Sequence, residues 1–311
     1  MMQYDTLIEK LEIDLINVCN AKCPLCHFRN NYPESLRTRV ALTRAALEDT
    51  LGEVRPQRVF IAGDLGEPTL SNELLPIIDL FVERDPSVVI VINTNGCTRS
   101  HRFWQTLAMR LPRFHEVLFA IDGLEDTYSI YRVGLDFTTT IGNARAFIEA
   151  GGVASWGFIE FEHNRHQVEE ARSRAQALGF RAFRLRRSYA ESAEIRRPPE
   201  TPNDGARIAA LWKSGEVPVE PDPFPYIQAD GTLYPCCESN SGRYDPKIDF
   251  DFARLNLRRH GLSECLRVLP DYCATMQATY PLTCARRCGR FPEGQGPAGQ
   301  DIGYGRAAGG G

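Results

Sequence analysis

Between Leu11 and Leu185, short apolar runs with strand character alternate with segments of helical spacing. This alternation constrains the fold more than any other feature of the chain, because repeated strand–helix units place their strands side by side and parallel in one sheet. The strand-like runs are 12–16, 58–62, 88–93, 116–121, 156–161 and 182–186. Helical patterns fit between them at 43–52, opened by Thr43, at 72–84, and at 168–178, closed by Gly179. Six such units make a partial barrel over residues 1–188. In folds of this kind ligands gather where the strands end, so residues just past each strand carry the functional information.

Past the first strand come Cys19, Cys23 and Cys26. Three thiolates can satisfy three irons of a four-iron cluster and leave the fourth open to a reactant. The same loop is compatible with a structural zinc ion if His27 supplies a fourth ligand. Of ten cysteines, these three lie within eight residues, six follow position 235, and Cys97 stands apart. The start of the chain lacks a secretion signal, and the longest aliphatic run, 88–92, is too short to span a membrane, so a cytoplasmic location is expected. Thiols in that compartment stay reduced and serve metals or catalysis. Charge argues against nucleic acid: 36 Lys and Arg face 40 Asp and Glu, for a net charge of -4. The one arginine cluster, Arg181, Arg184, Arg186 and Arg187, alternates with Phe180, Phe183 and Leu185 and reads as a strand with one wet face.

The cysteine loop, Cys19-Asn-Ala-Lys-Cys23-Pro-Leu-Cys26, resembles the C-x3-C-x-φ-C loop of the radical S-adenosylmethionine superfamily, whose members fold as partial (β/α)6 barrels. After the second strand, Gly63-Asp-Leu-Gly66-Glu67-Pro68-Thr-Leu is similar to the family's Gly-Gly-Glu-Pro segment. By resemblance it binds the methionine amino group, with Glu67 accepting hydrogen bonds from the ammonium and the glycines letting backbone approach the ligand. Asn93-Thr-Asn95-Gly96 and Ala120-Ile-Asp122-Gly123 are similar to family segments that line the cofactor, with ordinary Asn-Gly and Asp-Gly turn chemistry as the alternative for Asn95 and Asp122. Arg132 is expected to pair with the methionine carboxylate, and Glu160 or Glu162 on the fifth strand to face inward. The residue before the third cysteine is usually aromatic in the family and here is Leu25, an apolar shield without a stacking face, for which Phe28 is the expected substitute. Cys97 is a candidate hydrogen donor to a substrate radical, with packing as the plainer alternative.

Residues 189–222 are rich in proline and charge and read as a linker. Residues 223–292 are cysteine-dense with few apolar runs, a composition that leans on bound metal for stability; residues 293–311 are a glycine-rich tail. An Asp230-Gly231 hairpin leading to Cys236 and Cys237, followed by Cys284 and Cys288, resembles the SPASM or twitch domains that hold an auxiliary iron–sulfur cluster. Cys236, Cys284 and Cys288 are the expected ligands, Cys237 and Cys273 compete for the fourth place, and Cys265 reads as a core residue. The resemblance implies a 4Fe-4S cluster, S-adenosylmethionine, and an electron donor such as flavodoxin or ferredoxin. The expected reaction is hydrogen abstraction leading to dehydrogenation or epimerisation. With 18 residues before Cys19 and no leader-binding domain there, a small metabolite, sugar or nucleoside is favoured as substrate over a ribosomally made peptide. A zinc-bound structural protein is the alternative from another class.

Overall fold

The computed structural model describes residues 9–32, 34, 39–188, 190–200, 225–235, 243 and 245–279. Its strands are β1 Lys10–Ile13, β2 Arg58–Ile61, β3 Val89–Thr94, β4 His115–Ala120, β5 Ala154–Glu160, β6 Ala182–Arg187, β7 Tyr226–Ile227 and β8 Leu233–Tyr234. The helices are α1 His27–Asn31, α2 Arg44–Leu51, α3 Leu74–Arg84, α4 His101–Arg110, α5 Tyr128–Tyr131, α6 Phe137–Glu149, α7 Val168–Ala177 and α8 Leu257–Thr279. All strands belong to one open sheet in the order β6-β5-β4-β3-β2-β1-β7-β8, parallel except for the β7–β8 hairpin. The six parallel strands of a partial barrel are therefore present, each close to its expected place, with helices following β1 to β5 among the described residues. The first strand ends earlier than expected, because residues past Ile13 leave the ladder: Leu15 accepts from the Leu42 amide and Ile16 pairs with Ala41.

Side chains in register on parallel strands share a face. On one face Phe119, Trp156 and Phe183 lie side by side, and helices cover them. Trp104 of α4 sits 5.1 Å from Phe119, and Arg172 of α7 lies 4.8 Å over the Phe183 ring. Trp104, Phe119, Phe147 and Trp156 are fully buried there, each contributing about 1.5–3 kcal/mol by leaving water. The opposite face is the inside of the barrel, and it is not packed shut. Asn93, in the middle of the sheet, is exposed, and Val91, Leu118, Ala120, Gly157 and Ile159 are only half-buried. Residues 184–187 of β6 are all exposed, in place of the expected single wet face, because β6 is the outermost strand and lacks a neighbour on one side.

The C-terminal hairpin is less separate than its composition suggests. Strand β7 pairs with β1, placing Tyr226 opposite Glu12, and the Asp230-Gly231 turn is made with Gly231 at φ 85°. Tyr234, Phe250, Phe252 and Tyr272 gather their rings within 5.0–6.2 Å contacts. These residues are continuous with the barrel core, as is Cys265, which is fully buried. The described part of this region thus draws its apolar burial from the barrel. Among the described residues no helix is long and apolar enough to cross a membrane.

Candidate functional site at the barrel mouth

The loops after β1, β2, β3 and β4 meet around the three cysteines. Gly66 is fixed by this meeting: a Cβ there would stand 2.2 Å from the Ile16 carbonyl oxygen and 2.7 Å from that of Val18. The close approach that glycine permits is therefore to the backbone leading into the cysteine loop, where Glu67 N–H donates to Val18 at 2.9 Å. Gly63 has φ 69°, and a Cβ on it would strike the Gly66 carbonyl at 2.9 Å. Pro68 then opens a short 3-10 turn whose first amide is capped by the Glu67 side chain.

Glu67 is buried, and its carboxylate ties the second loop to the third. Oε1 accepts from Thr69 N–H at 3.1 Å and from the hydroxyls of Thr69 and Thr94 at 2.6 Å each; Oε2 accepts from Asn95 N–H at 2.7 Å. Burial pushes this carboxyl up and the four donors pull against it. Expected to meet an ammonium, Glu67 here braces its neighbours first, with Oε2 holding capacity for a further donor. Asn95 in turn reaches the cysteine loop, donating to Asn20 Oδ1 at 2.8 Å and lying 3.7 Å from Cys19 Sγ. Asn20 also donates to the Cys97 carbonyl at 3.1 Å.

On the other side, Asp122 and Arg132 form a buried ion pair at 2.6 Å, with side-chain exposures of 1% and 15%. Arg132 reaches Cys23 Sγ with Nη1 at 3.7 Å and lies 5.3 Å from the Tyr131 ring centre. Burial works against the Arg132 charge, and Asp122 together with Cys23, Tyr131 and Tyr128 outweighs it. Burial likewise pushes the Asp122 carboxyl up, against Arg132 and the Ile159 amide, which donates to it at 2.6 Å. Arg132 was expected to serve a ligand carboxylate, yet Asp122 already neutralises it. Its Nη2 is the nitrogen left without a partner among the described residues.

The thiols fit a cluster. Loss of water around its sulfur pushes Cys19 up to about 12, and burial raises Cys23 against the pull of Arg132. Protonated thiols are poor nucleophiles, and a metal that binds them displaces the protons. Ala21 N–H donates to Cys19 Sγ at 3.3 Å, so both Cys19 and Cys23 receive the kind of N–H donor that tunes cluster sulfurs. Among the described residues no three His, Cys, Asp or Glu side chains converge on a point where one ion would sit.

Other expected residues sit elsewhere. Glu160 shares the helix-facing side with Trp156 and Phe158 and pairs with Arg187 at 3.1 Å, so it does not face inward; the inner position is Ile159. Glu162 lies beyond the end of β5 and is exposed, where alternation no longer governs direction. Leu25 is half-buried against the main core. Phe28 is not an open stacking face: it is buried with Tyr32 and Leu65. Cys97 Sγ engages the Asp136 backbone at the start of α6, accepting from its N–H at 3.3 Å. Cys273 is half-buried on α8 against the core, and Cys236, Cys237, Cys284 and Cys288 lie outside the described residues.

Sequence reading missed Asp14. This fully buried residue at the end of β1 accepts from the amides of Asp64 at 2.9 Å and Leu65 at 3.1 Å, and from the hydroxyl of Tyr226 on β7. Burial and the nearby Asp64 push its carboxyl up to about 8. It fastens the glycine-rich second loop to both the barrel and the C-terminal hairpin.

No protein-family model and no curated protein matches the chain. Solved structures do. The Streptococcus suis protein SuiB, bound to S-adenosylmethionine, is similar at 17% identity and a TM-score of 0.55 over 73% of this chain and 60% of SuiB. SuiB bound to the precursor peptide SuiA matches at 16% and 0.58, over 80% and 63%. The match thus spans less than two-thirds of SuiB. anSMEcpe, with bound S-adenosylmethionine and the Cp18Cys peptide, matches at 14% and 0.54 over 90% of this chain and 88% of its own. The chain has the fold of the radical S-adenosylmethionine enzymes.

Proposed function

We propose that the chain is a radical S-adenosylmethionine enzyme with its cluster on Cys19, Cys23 and Cys26. One observation carries the reading: in the loop after β1 that holds all three cysteines, Cys19 is met by Asn95 from just past β3 and Cys23 by Arg132 from beyond β4. A cluster held by these cysteines with one open iron would supply the electron for reductive cleavage of S-adenosylmethionine, the chemistry that lets such an enzyme remove hydrogen from a substrate carbon. The chain's own residues hold and orient. Gly63, Gly66 and Pro68 shape the second loop, Glu67 Oε2 faces the ammonium, Asp122 and Arg132 flank the cysteine loop, and the half-buried inner face leaves room for a substrate. Cys236, Cys237, Cys273, Cys284 and Cys288 are the ligands available to an auxiliary cluster within 223–292, with flavodoxin or ferredoxin as reductant.

The favoured reaction is dehydrogenation or epimerisation of a small metabolite, sugar or nucleoside. A peptide is the second reading, supported by the peptides bound in the SuiB and anSMEcpe structures. Anaerobic reconstitution with iron and sulfide tests the core of the proposal. The unaltered protein is expected to turn brown and release 5′-deoxyadenosine on reduction, while Cys23→Ala and Cys23→Ser fall to background. Full release by both variants would overturn it; a colourless zinc-binding protein would favour the scaffold alternative. Deuterium carried into 5′-deoxyadenosine from a labelled peptide or metabolite separates the two substrate classes.

A further inference from the structure

The inner face of the barrel has a charged wall that the chemistry at its mouth does not use. Strand alternation places Phe183 and Arg187 on the helix-facing side of β6, since Phe183 packs between Trp156 and Arg172. Arg184 and Arg186 therefore stand on the inner face. Arg184 pairs with Glu116 at 2.6 Å. Arg186 has no hydrogen bond or ion pair among the described residues. It lies in register with Ile159, whose amide donates to Asp122. This puts a guanidinium with no partner among the described residues two strands from the end of β4, where Asp122 pairs with Arg132.

The floor beside it is cleared. Ala120, Gly157 and Arg184 form one register row, and a Cβ on Gly157 would meet the Leu118 side chain at 3.3 Å. Half-buried apolar groups and exposed Asn93 continue that floor across β4 and β3. All of these positions are at least partly exposed.

We propose that Arg186 binds an anionic oxygen group, carboxylate or phosphate, on the substrate, whose uncharged remainder lies over Ala120, Gly157, Ile159 and Asn93. This rests on the reading of the inner face as the substrate chamber and deepens it to a substrate class. A planar guanidinium matches either anion through paired N–H donors. Arg184, already neutralised by Glu116, stands in the deeper row beside Gly157.

Calorimetric titration of the reconstituted protein with inorganic phosphate and, separately, succinate tests the assignment. At least one anion is expected to bind, about tenfold more weakly in Arg186→Gln and unchanged in Arg102→Gln, a charge control on the exposed side of α4. Binding of phosphate alone assigns a phosphorylated substrate, and of succinate alone a carboxylate. If neither binds, or if Arg186→Gln binds as tightly as the unaltered protein, the proposal fails. An arginine kept only to stop β6 from pairing with another edge gives that last result, accompanied by increased self-association. Release of 5′-deoxyadenosine by the unaltered protein, read in parallel, distinguishes failure of the anion site from failure of the enzyme assignment.

Discussion

The two sides of the barrel mouth bury carboxylates by different means. On the β1–β3 side, Asp14 and Glu67 are enclosed by amides and hydroxyls alone. On the β4–β5 side, Asp122 is held by a guanidinium that also touches a cysteine sulfur. A carboxylate among neutral donors can gain a proton without leaving an orphaned charge, whereas a carboxylate paired with arginine cannot. The first arrangement ties loops together. The second fixes a charge beside the thiols.

The largest test of that contrast removes one member of the ion pair. Asp122→Leu leaves Arg132 without its counter-ion and is expected to lower unfolding free energy by about 3–5 kcal/mol, measured by denaturant titration. Adding Arg132→Met should recover part of the loss; if the double variant is as unstable as the sum of the singles, the pair is not the unit proposed. Glu67→Gln comes next. It turns an NH2 group toward donors and is expected to cost about 1–3 kcal/mol, with weaker S-adenosylmethionine binding in the same preparation. An effect as large as that of Asp122→Leu would erase the distinction between the two sides.

A third test concerns Asp14. Its carboxyl is raised in the folded state, so the folded form favours the proton. The associated stability is complete below the unfolded value of 3.8, and is lost as pH rises through about 8. Melting temperature should fall across that window, with the slope flattened in Asp14→Asn. Tyr226→Phe removes a donor to the same carboxylate and should cost about 1 kcal/mol while carrying the decline to higher pH. A flat profile in the unaltered protein would show that Asp14 is ionised throughout, despite its burial.

Much of this was legible because it is local. The alternating runs located all six barrel strands, and the cysteine spacing, Asn95-Gly96 and Arg132 pointed to residues that do meet. What escaped depends on contacts between distant segments. Nothing around Asp14 marks it, since its partners are at 64, 65 and 226. Glu160 was misdirected because its face is set by which neighbour the strand packs on, not by alternation alone. Phe28 is an aromatic in a suitable place, and only the fold shows Leu65 and Tyr32 closing over it. The arginines of β6 read as one wet face because a sequence does not say which strand will be outermost.

The bond from Tyr226 to Asp14 also bears on how the protein assembles. It joins residues 212 positions apart, a separation that makes a contact slow to form because so much chain must be ordered before it closes. The barrel strands can pair as they leave the ribosome, but the glycine-rich second loop cannot be fully fastened until the hairpin of β7 and β8 has been made and docked beside β1. The cysteine loop, which leans on that second loop through the Glu67 amide, therefore gains its final support late, when the β7–β8 hairpin docks.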